Sequence, residues 1–462
     1  MAKNKTCYRC SNCAHESIKW VGCCPSCGEW NSFIQEQQHT ALKLPSFSKT
    51  KCSNFLSAVG NDQTYAMSLL QDIVIEDQDR MCSSLKEWDR VLGGGILPGS
   101  FIILTGDPGI GKSTLLLQVA DLIAQNNYAV VYFSSEESLQ QVKGRALRLG
   151  IGDTRVRFSD QACLEHIVAL CEKEKPNLVI LDSIQNCYLS EQAQLFPGTV
   201  AQLREAAFFL MRFAKINKIA VLVTGHITKE GQMAGPKVLE HMVDAVFYLQ
   251  CEDRWQTRIL RSVKNRFGAI NEVGFFEMQE EGMVEIANIN QQLLSEVSVS
   301  SGSVLVSAVE GSRPLLLELQ ALCVDSRFGM PQRVVTGLDP KRVVLVAAIL
   351  EKYLHIRFSS QDIFFKVSGG FKIKESSSDL GIALALLSSY FQMPLPQKSV
   401  AIGEISLTGQ IKPANQIGIC IKEVEKFGLE NVFIAKTQQV KTSCKLIGLG
   451  SVYDLLTLFP EK

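Results

Sequence analysis

The sequence lacks several features that would place it in a common functional class. Its 47 lysines and arginines balance 47 aspartates and glutamates, so any nucleic-acid contact must come from a local patch or from several subunits together. No apolar run is long enough to cross a bilayer. After Met1, residues 2–5 read Ala-Lys-Asn-Lys, where an export leader would be apolar. These absences predict a cytoplasmic protein with no membrane partner.

The 462 residues are too many for one ordinary core and predict two or three domains. We find no tandem repeat in the sequence. Of the 15 cysteines, those that crowd the start are Cys7, Cys10, Cys13, Cys23, Cys24 and Cys27. Because disulfides are rare in a reducing cytoplasm, this clustering favours a metal site.

The cysteine cluster contains two C-x-x-C knuckles separated by a short loop. Four thiolates at this spacing close a tetrahedron around Zn²⁺ and leave no open position for catalysis. The predicted ligands are Cys10, Cys13, Cys24 and Cys27. Cys7 forms a further C-x-x-C with Cys10, and Cys23 adjoins Cys24, so the register of the knuckles stays open. Free thiols or an iron site are the alternatives.

Short apolar runs alternate with helical segments in the middle of the chain, which predicts parallel strands buried on both faces. The predicted strands are residues 101–105, 129–133, 178–181 and 220–223, with 262–266 and 274–278 as later strands of the same unit. A polar break at 288–292 precedes a second α/β block. That block has predicted helices at 343–353 and 380–390 and predicted strands at 304–309 and 400–405.

Residues 106–113 match the pattern G-x-x-x-x-G-K-[ST] between a predicted strand and a predicted helix. In such a P-loop the glycines let backbone N–H groups surround phosphate oxygens, Lys112 adds a cation, and Ser113 offers a hydroxyl to Mg²⁺. The predicted nucleotide-binding residues are Gly106, Asp107, Pro108, Gly109, Ile110, Gly111, Lys112, Ser113 and Thr114. ATP and Mg²⁺ are therefore predicted cofactors; the alternative is a glycine-rich turn that matches by chance.

Three carboxylates follow predicted strands on the edge where open α/β sheets bind ligands. Asp182 ends the apolar run 177–182, the place of a Walker-B carboxylate that holds Mg²⁺. Its alternative role is to cap the next helix. Glu136 or Glu137 is a candidate base for the attacking water, and we prefer Glu136. Both are also ordinary residues for a first helical turn.

Further motifs occur along nearly the whole chain, at residues 10–13, 19–22, 24–27, 30–31, 89–95, 106–113, 135–138, 225–231, 239–244, 264–268, 310–315 and 403–404. Together these segments resemble the bacterial RadA (Sms) family of DNA-repair proteins. The pentapeptide Lys-Asn-Arg-Phe-Gly at 264–268 is the most diagnostic of them. The resemblance implies an α/β fold with a RecA-like P-loop ATPase core, an N-terminal zinc ribbon and a C-terminal Lon-protease-like domain. The predicted boundaries are 1–34 for the zinc ribbon, 35–65 for a linker, 66–287 for the ATPase and 292–462 for the last domain.

The resemblance also implies a DNA-dependent ATPase of recombinational repair. Such a protein forms a homo-oligomer, with a hexameric ring expected, and acts on single-stranded and branched DNA together with the RecA recombinase. By similarity His226 senses the γ-phosphate, and the segment after it, to Lys237, faces DNA. A polar residue that only ends a strand is the other reading of His226.

Lys264 and Arg266 alternate with Asn265 on a predicted strand, so both cations project from one side. They are candidates for contacting phosphates, either of DNA or of the nucleotide in a neighbouring subunit. An ordinary solvated strand face is the alternative.

The last domain resembles Lon protease but lacks its serine–lysine pair, because Asp379 and Gly418 stand at the two positions. An aspartate cannot replace a neutral nucleophile with a nearby base. A shifted register using residues 376–378 and Lys422 is the alternative. We expect instead a platform for ring assembly and DNA; its basic residues are Lys341, Arg342, Lys372 and Lys374. An ATP-gated scaffold that regulates recombinases without directional unwinding is a competing function, and an ATP-dependent protease is a third.

Overall fold

The computed structural model describes residues 6–10, 16–17, 22, 33–37, 69, 79–190, 199–226, 239–251, 257–326 and 331–460. The chain divides into two compact units, Met1–Ile75 and Glu76–Lys462. The first unit contains an antiparallel sheet in the order β2-β1-β3. Its strands are β1 (Thr6–Cys10), β2 (Glu16–Ser17) and β3 (Phe33–Gln37).

A large sheet organises the first half of the second unit, in the order β12-β11-β10-β9-β4-β8-β7-β5-β6. Its parallel strands are β4 (Phe101–Gly106), β5 (Val130–Ser134), β6 (Arg157–Ser159), β7 (Leu178–Asp182), β8 (Ala220–His226) and β9 (Ala245–Cys251). Antiparallel strands extend the sheet beyond β9: β10 (Thr257–Asn265), β11 (Val273–Gln279) and β12 (Gly282–Glu285). The accompanying helices are α1 (Lys86–Leu92), α2 (Lys112–Gln125), α3 (Leu139–Arg148), α4 (Leu164–Glu174) and α5 (Val200–Asn217).

The central strands are buried along their whole length, as the continuous apolar runs predict. Every residue of β4, β5 and β7 is buried, because helices cover both faces of the sheet. The predicted strands at 101–105, 129–133, 178–181 and 220–223 are therefore confirmed to within one to three residues. The P-loop connects the carboxyl end of β4, which lies between β8 and β9, to the first turn of α2.

One side chain attaches the helix that follows the P-loop to the antiparallel part of the sheet. Gln118 on α2 accepts a hydrogen bond from the backbone N–H of Met283 at 2.9 Å. The amide nitrogen of the same side chain donates to the Met283 carbonyl at 3.3 Å. Gln118 thus satisfies both backbone groups of Met283, a buried residue on β12.

The second half of this unit is a mixed α/β domain around a sheet in the order β15-β16-β14-β13-β17-β20-β21. Its strands are β13 (Ser303–Glu310), β14 (Arg313–Asp325), β15 (Arg333–Thr336), β16 (Gln361–Val367), β17 (Ser399–Ile402), β20 (Asn431–Ala435) and β21 (Lys445–Leu449), and a small separate sheet pairs β18 (Glu404–Ile405) with β19 (Ile411–Lys412). Its helices are α6 (Ile289–Ser295), α7 (Pro340–Leu354), α8 (Asp379–Phe391), α9 (Ile417–Lys426) and α10 (Val452–Leu455).

Two expectations for this region are wrong. Residues 289–292 of the expected polar break belong to α6 (Ile289–Ser295), because Ile289 and Leu293 are buried on one helical face. The expected single strand at 400–405 is interrupted at Gly403, after which β18 joins the small sheet. The core of the C-terminal domain also includes Ile259, Val273 and Phe275 of the ATPase sheet, so the two domains share apolar packing.

The Gln118–Met283 contact gives a stability prediction. Gln118→Ala should lower the free energy of unfolding by about 1–3 kcal/mol, because it leaves a buried N–H and carbonyl without partners. Urea unfolding of the full chain measures this change. Gln140→Ala, at an exposed position of α3, is the matched control and should change stability little. Equal stability of the two variants would contradict the assigned role of Gln118.

Candidate nucleotide-binding site

The loop at 106–111 has the backbone geometry of a phosphate cradle. Gly106, Gly109 and Gly111 adopt φ values of 155°, 77° and 109°, in the range that side-chain-bearing residues rarely adopt. A Cβ added at Gly106 would lie 2.3 Å from the carbonyl oxygen of Leu249. Helix α2 then begins at Lys112, so its first N–H groups and the positive end of its dipole face the loop.

Lys112 is buried, and its ammonium group lies inside the loop. The Nζ atom donates to the carbonyl oxygens of Gly106 at 2.9 Å and Asp107 at 3.0 Å. Burial lowers the pKa of Lys112, while the nearby carboxylates of Asp182 and Glu136 act in the opposite direction. A cation held this way is available to an anion that enters the loop. Ser113 and Thr114 follow in the first turn of α2 and are half-buried.

Asp182 is the last residue of β7 and is buried; β8 lies between its strand and the P-loop strand β4. Its two carboxylate oxygens accept hydrogen bonds from Tyr132 Oη at 2.8 Å and Thr224 Oγ1 at 2.7 Å. Burial and the Asp182 carboxylate raise the pKa of Tyr132 well above its ordinary value, so the phenol stays a donor. Neighbouring strands β5 and β8 therefore fix the orientation of the carboxylate. Nothing in this arrangement makes Asp182 the cap of a helix.

The two adjacent glutamates after β5 have different partners. Glu136 is exposed and accepts a hydrogen bond from Ser183 Oγ, next to Asp182. Glu137 forms an ion pair with Arg145 of α3. Glu136 is also one of the carboxylates that act on the pKa of Lys112, whereas Glu137 is not. The geometry thus places Glu136 on the P-loop side, whereas Glu137 is paired with Arg145 of the helix that follows it.

His226 is the last residue of β8, and its backbone pairs with Gly106 at the start of the P-loop. This position is at the carboxyl edge of the sheet, as expected for a residue near the γ-phosphate. Its side chain and the segment 227–238, with Lys229 and Lys237, lie outside the described residues. The roles of His226 and of a DNA-facing loop stay predictions.

Lys264 and Arg266 lie at the opposite edge of the sheet from the P-loop. Lys264 pairs with Val246 of β9, and Val246 pairs with Ile103 of β4. Lys264 is therefore level with a residue three positions before Gly106, which corresponds to about 10 Å along the strand. Arg266 follows the end of β10, and its backbone N–H donates to the Asp244 carbonyl at 3.1 Å. It thus lies about two residues farther from the P-loop, or roughly 7 Å more.

The side chains of both cations are held at that far edge. Lys264 Nζ donates to the Glu240 carbonyl, and an Arg266 guanidinium nitrogen lies 3.5 Å from Asp244 Oδ1. The pKa of Lys264 is lowered, first by burial and then by the nearby Arg266. The two cations are therefore close together, although a bulge between Ser262 and Lys264 interrupts regular alternation. They do not reach the P-loop of their own chain.

Several site contacts were not predicted from sequence. Arg258 on β10 donates from Nε to the Ile110 carbonyl at 3.1 Å, which ties the P-loop to the antiparallel strands. These residues are 148 positions apart, and no local pattern links them. Tyr132 and Thr224 hold Asp182 from neighbouring strands. In the sequence, only their position near the carboxyl ends of β5 and β8 indicated that these two residues lie close to the site.

The C-terminal domain places Asp379 at the start of α8 in an ion pair. Arg342 Nε lies 2.6 Å from Asp379 Oδ1. Burial raises the pKa of Asp379, while Arg342 acts to lower it. A Cβ added at Gly418 on α9 would meet open space among the described residues, and Lys422 is exposed on the same helix. Arg342 is engaged by Asp379, whereas the other expected basic residues are exposed: Lys341, Lys372 and Lys374.

The predicted zinc ligands cannot be placed together. Cys10 ends β1, but its side chain is outside the description, and Cys13, Cys24 and Cys27 lie outside the described residues. Among the residues that the structure describes, no three His, Cys, Asp or Glu side chains group as a metal site. No described helix is long and apolar enough to cross a membrane.

The P-loop side of the sheet fits a nucleoside triphosphate with a divalent cation. The positive-φ glycines and the start of α2 supply backbone N–H donors, and the ammonium group of buried Lys112 supplies a positive charge for the phosphates. Ser113 and Asp182 supply the oxygen donors that Mg²⁺ prefers. Glu136 is the exposed carboxylate beside them. These groups support phosphate binding and the activation of a water molecule.

Family models match three parts of the chain. They are an AAA domain over residues 75–232, a rubredoxin metal binding domain over residues 8–35, and the ChlI subunit of Mg-chelatase over residues 327–438. The solved RadB recombinase is 21% identical and covers 45% of this chain and 99% of its own, with a TM-score of 0.36. So low a score adds nothing to the sequence matches.

Full-length relatives are much more similar. DNA repair protein RadA of Halalkalibacterium halodurans is 41% identical over 461 residues, 99% of each chain. DNA repair protein RadA of Bacillus subtilis is 41% identical over 435 residues, 94% of this chain and 93% of its own. The chain therefore belongs to the RadA family of DNA repair proteins, with a RecA-like ATPase core, an N-terminal zinc ribbon and a C-terminal Lon-like α/β domain.

Proposed function

We propose that this protein is a DNA-dependent ATPase of recombinational DNA repair that works as a ring on single-stranded DNA. In this proposal it is cytoplasmic, assembles as a hexamer, binds branched intermediates and promotes branch migration together with RecA. Family membership supports a role in DNA repair. The observation that supports a ring-shaped motor is that the P-loop lies at one edge of the sheet, whereas Lys264 and Arg266 lie at the opposite edge.

In the proposed hydrolysis, the residues on the P-loop side of the sheet bind the nucleotide and activate the attacking water. Bound Mg²⁺·ATP supplies the phosphoryl group and the metal that offsets its charge. Lys112 and the backbone N–H groups of the loop would bind the phosphates, and Asp182 and Ser113 would hold the metal. Glu136 accepts the proton of the attacking water, and Ser183 Oγ positions that carboxylate. Tyr132 and Thr224 keep Asp182 turned toward the site.

A neighbouring subunit completes this site in the proposal. Lys264 and Arg266 of one chain are too far from their own P-loop to stabilise charge on its transferred phosphoryl group. In a ring, the far edge of one sheet can face the P-loop edge of the next. A cation supplied in trans makes hydrolysis depend on the position of the neighbour, which couples turnover to movement along DNA.

The competing function is an ATP-gated scaffold that regulates a recombinase without directional unwinding. A strand-displacement assay separates the two, because only a motor displaces a strand directionally. The structure gives the protease reading little support. Asp379 is charge-paired with Arg342 and is not a neutral nucleophile beside a base. Absence of casein cleavage would agree with this reading of the C-terminal domain.

The different partners of the two glutamates give a matched pair of variants. Glu136→Gln should bind ATP with unchanged affinity but lose turnover by about 10²-fold or more, because an amide cannot accept the proton of water. Glu137→Gln should stay within a few-fold of the parent, since Glu137 pairs with Arg145. Steady-state phosphate release and binding of a fluorescent ATP analogue measure the two effects. An active Glu136→Gln beside an inactive Glu137→Gln would reverse the assignment.

The role in trans is tested by mixing subunits. Arg266→Ala should lower turnover by roughly 10³-fold and keep ATP binding, because a trans cation of this kind has that effect. Lys112→Ala should abolish turnover in its own site. Rings mixed from both variants should regain part of the activity, because each Lys112→Ala chain lends its Arg266 to a neighbour with an intact P-loop. If co-assembly is verified by native mass spectrometry and activity is not regained, the trans role fails.

The zinc prediction is tested by metal analysis of the purified protein. About one zinc ion per chain is expected from four thiolate ligands. Cys27→Ser should release the metal, whereas Cys7→Ser should retain it, because Cys7 is outside the predicted ligand set. Loss of zinc from Cys7→Ser would show that the register of the knuckles is different.

A further inference from the structure

The boundary between the ATPase and the C-terminal domain contains a buried ion pair. Glu87 on α1 is 2% exposed. Its Oε2 atom accepts from an Arg313 guanidinium nitrogen at 2.6 Å and from the Phe275 backbone N–H at 3.0 Å. Its Oε1 atom pairs with Arg90 at 3.0 Å. Both carboxylate oxygens are satisfied, as burial of the charge requires.

Arg313 approaches this carboxylate from the other domain. It is the first residue of β14, and its guanidinium lies 4.9 Å from the centroid of the Phe275 ring. Burial lowers the pKa of Arg313 and the charge of Glu87 raises it; arginine nevertheless stays protonated in proteins. The pairing and stacking fix the planar guanidinium in one orientation, so the position of β14 is transmitted directly to Glu87 and α1.

The other end of α1 is attached to the segment that contains the trans cations. Asn265 Nδ2 donates to the carbonyl oxygens of Val91 at 3.4 Å and Leu92 at 3.3 Å, at the end of the helix. Gly93 follows with φ 85° and packs on Gly268, where an added Cβ would lie 2.9 Å from the Gly93 Cα. Asn265 is the residue between Lys264 and Arg266, so the end of α1 supports both cations.

Arg80 adds a second support at the same place. Its guanidinium donates to the Phe267 carbonyl at 2.8 Å and to the Gly95 carbonyl at 3.4 Å. Residues 265–268 are thus bound to the residues on both sides of α1. Side-chain contacts at one end of this two-turn helix reach the C-terminal domain, and contacts at the other end reach the segment 265–268.

We propose that Glu87 and Arg313 are positioning residues for Lys264 and Arg266, and that α1 is a strut that passes the position of the C-terminal domain to these two cations. The effect on turnover rests on the proposed trans role; the mechanical connection through α1 does not. A rearrangement of the C-terminal domains, for example on DNA, would then change hydrolysis at the neighbouring nucleotide site without a contact to the nucleotide.

The test compares two interdomain ion pairs in the full-length protein. Arg313→Gln removes the contact to α1. Glu310→Gln is the matched control, because Glu310 pairs with Arg261 of β10 across the same boundary, in an ion pair that does not involve α1. Thermal unfolding verifies the fold of each variant. Should Arg313→Gln fail to fold, Glu87→Gln, which keeps the size of the side chain, replaces it.

Amide hydrogen exchange in the segment 265–268 tests the connection through α1 directly. In Arg313→Gln the amides of Arg266 and Phe267, bonded to Asp244 and Asn265, should exchange about tenfold faster as the segment opens locally. They should be unchanged in Glu310→Gln. Unchanged exchange in Arg313→Gln, or equal changes in both variants, would overturn the proposal.

Kinetics separates the strut from the trans role. Arg313→Gln should lower kcat by about tenfold and keep KM for ATP within twofold. In an Arg266→Ala background it should lower kcat no further, because the two substitutions remove the same contribution, that of Arg266 to turnover. Multiplied losses would overturn positioning through Arg266. Faster exchange together with full activity of both Arg313→Gln and Arg266→Ala would leave the strut standing and reject the trans role.

Discussion

Backbone pairing from β4 through β9 to β10 determines which groups one chain can bring to a nucleotide. Strand β9 is parallel to β4 and antiparallel to β10. The P-loop therefore leaves the sheet at one edge, while β10 ends at the other. The hydrogen bonds of three neighbouring strands fix this separation, and no side-chain rotation can remove it. A cooperative ATPase follows if the two edges meet between subunits.

The groups on the P-loop side are held in place by hydrogen bonds within the protein. Asp182 is held by hydroxyl donors from two neighbouring strands, and Lys112 is held by carbonyl oxygens of its own loop. Such fixed orientation reduces the reorganisation needed at the moment of reaction. On the far side, α1 and the Glu87–Arg313 pair hold the segment 265–268. The shared apolar packing around Phe275 keeps this connection close to the C-terminal domain.

The sequence predicted the parts of the structure that rest on local patterns. Continuous apolar runs predicted the buried parallel strands, and the spacing of glycines and Lys112 predicted the phosphate loop. Contacts between distant residues were not predicted, because neither partner has a signal of its own. Arg258 with Ile110 and Arg313 with Glu87 are such pairs. The helix at 289–295 was missed because its polar residues conceal a narrow buried face formed by Ile289 and Leu293.

The sequence analysis preferred Glu136 to Glu137 as the proposed base, but only three-dimensional contacts distinguish the two residues. The two residues are identical in type and adjacent in sequence, so no propensity separates them. In the structure Ser183 contacts one and Arg145 contacts the other. The far-edge position of Lys264 and Arg266 likewise follows from strand direction, which single-sequence patterns do not specify.

The central claim is that a complete site requires two chains. It is tested most directly by turnover per subunit across a range of protein concentrations, with the oligomeric state followed by mass photometry in the same samples. A site completed in trans predicts that turnover per subunit rises with the fraction of assembled protein and falls toward zero for the monomer. Constant turnover per subunit through the dissociation of the oligomer would contradict the account.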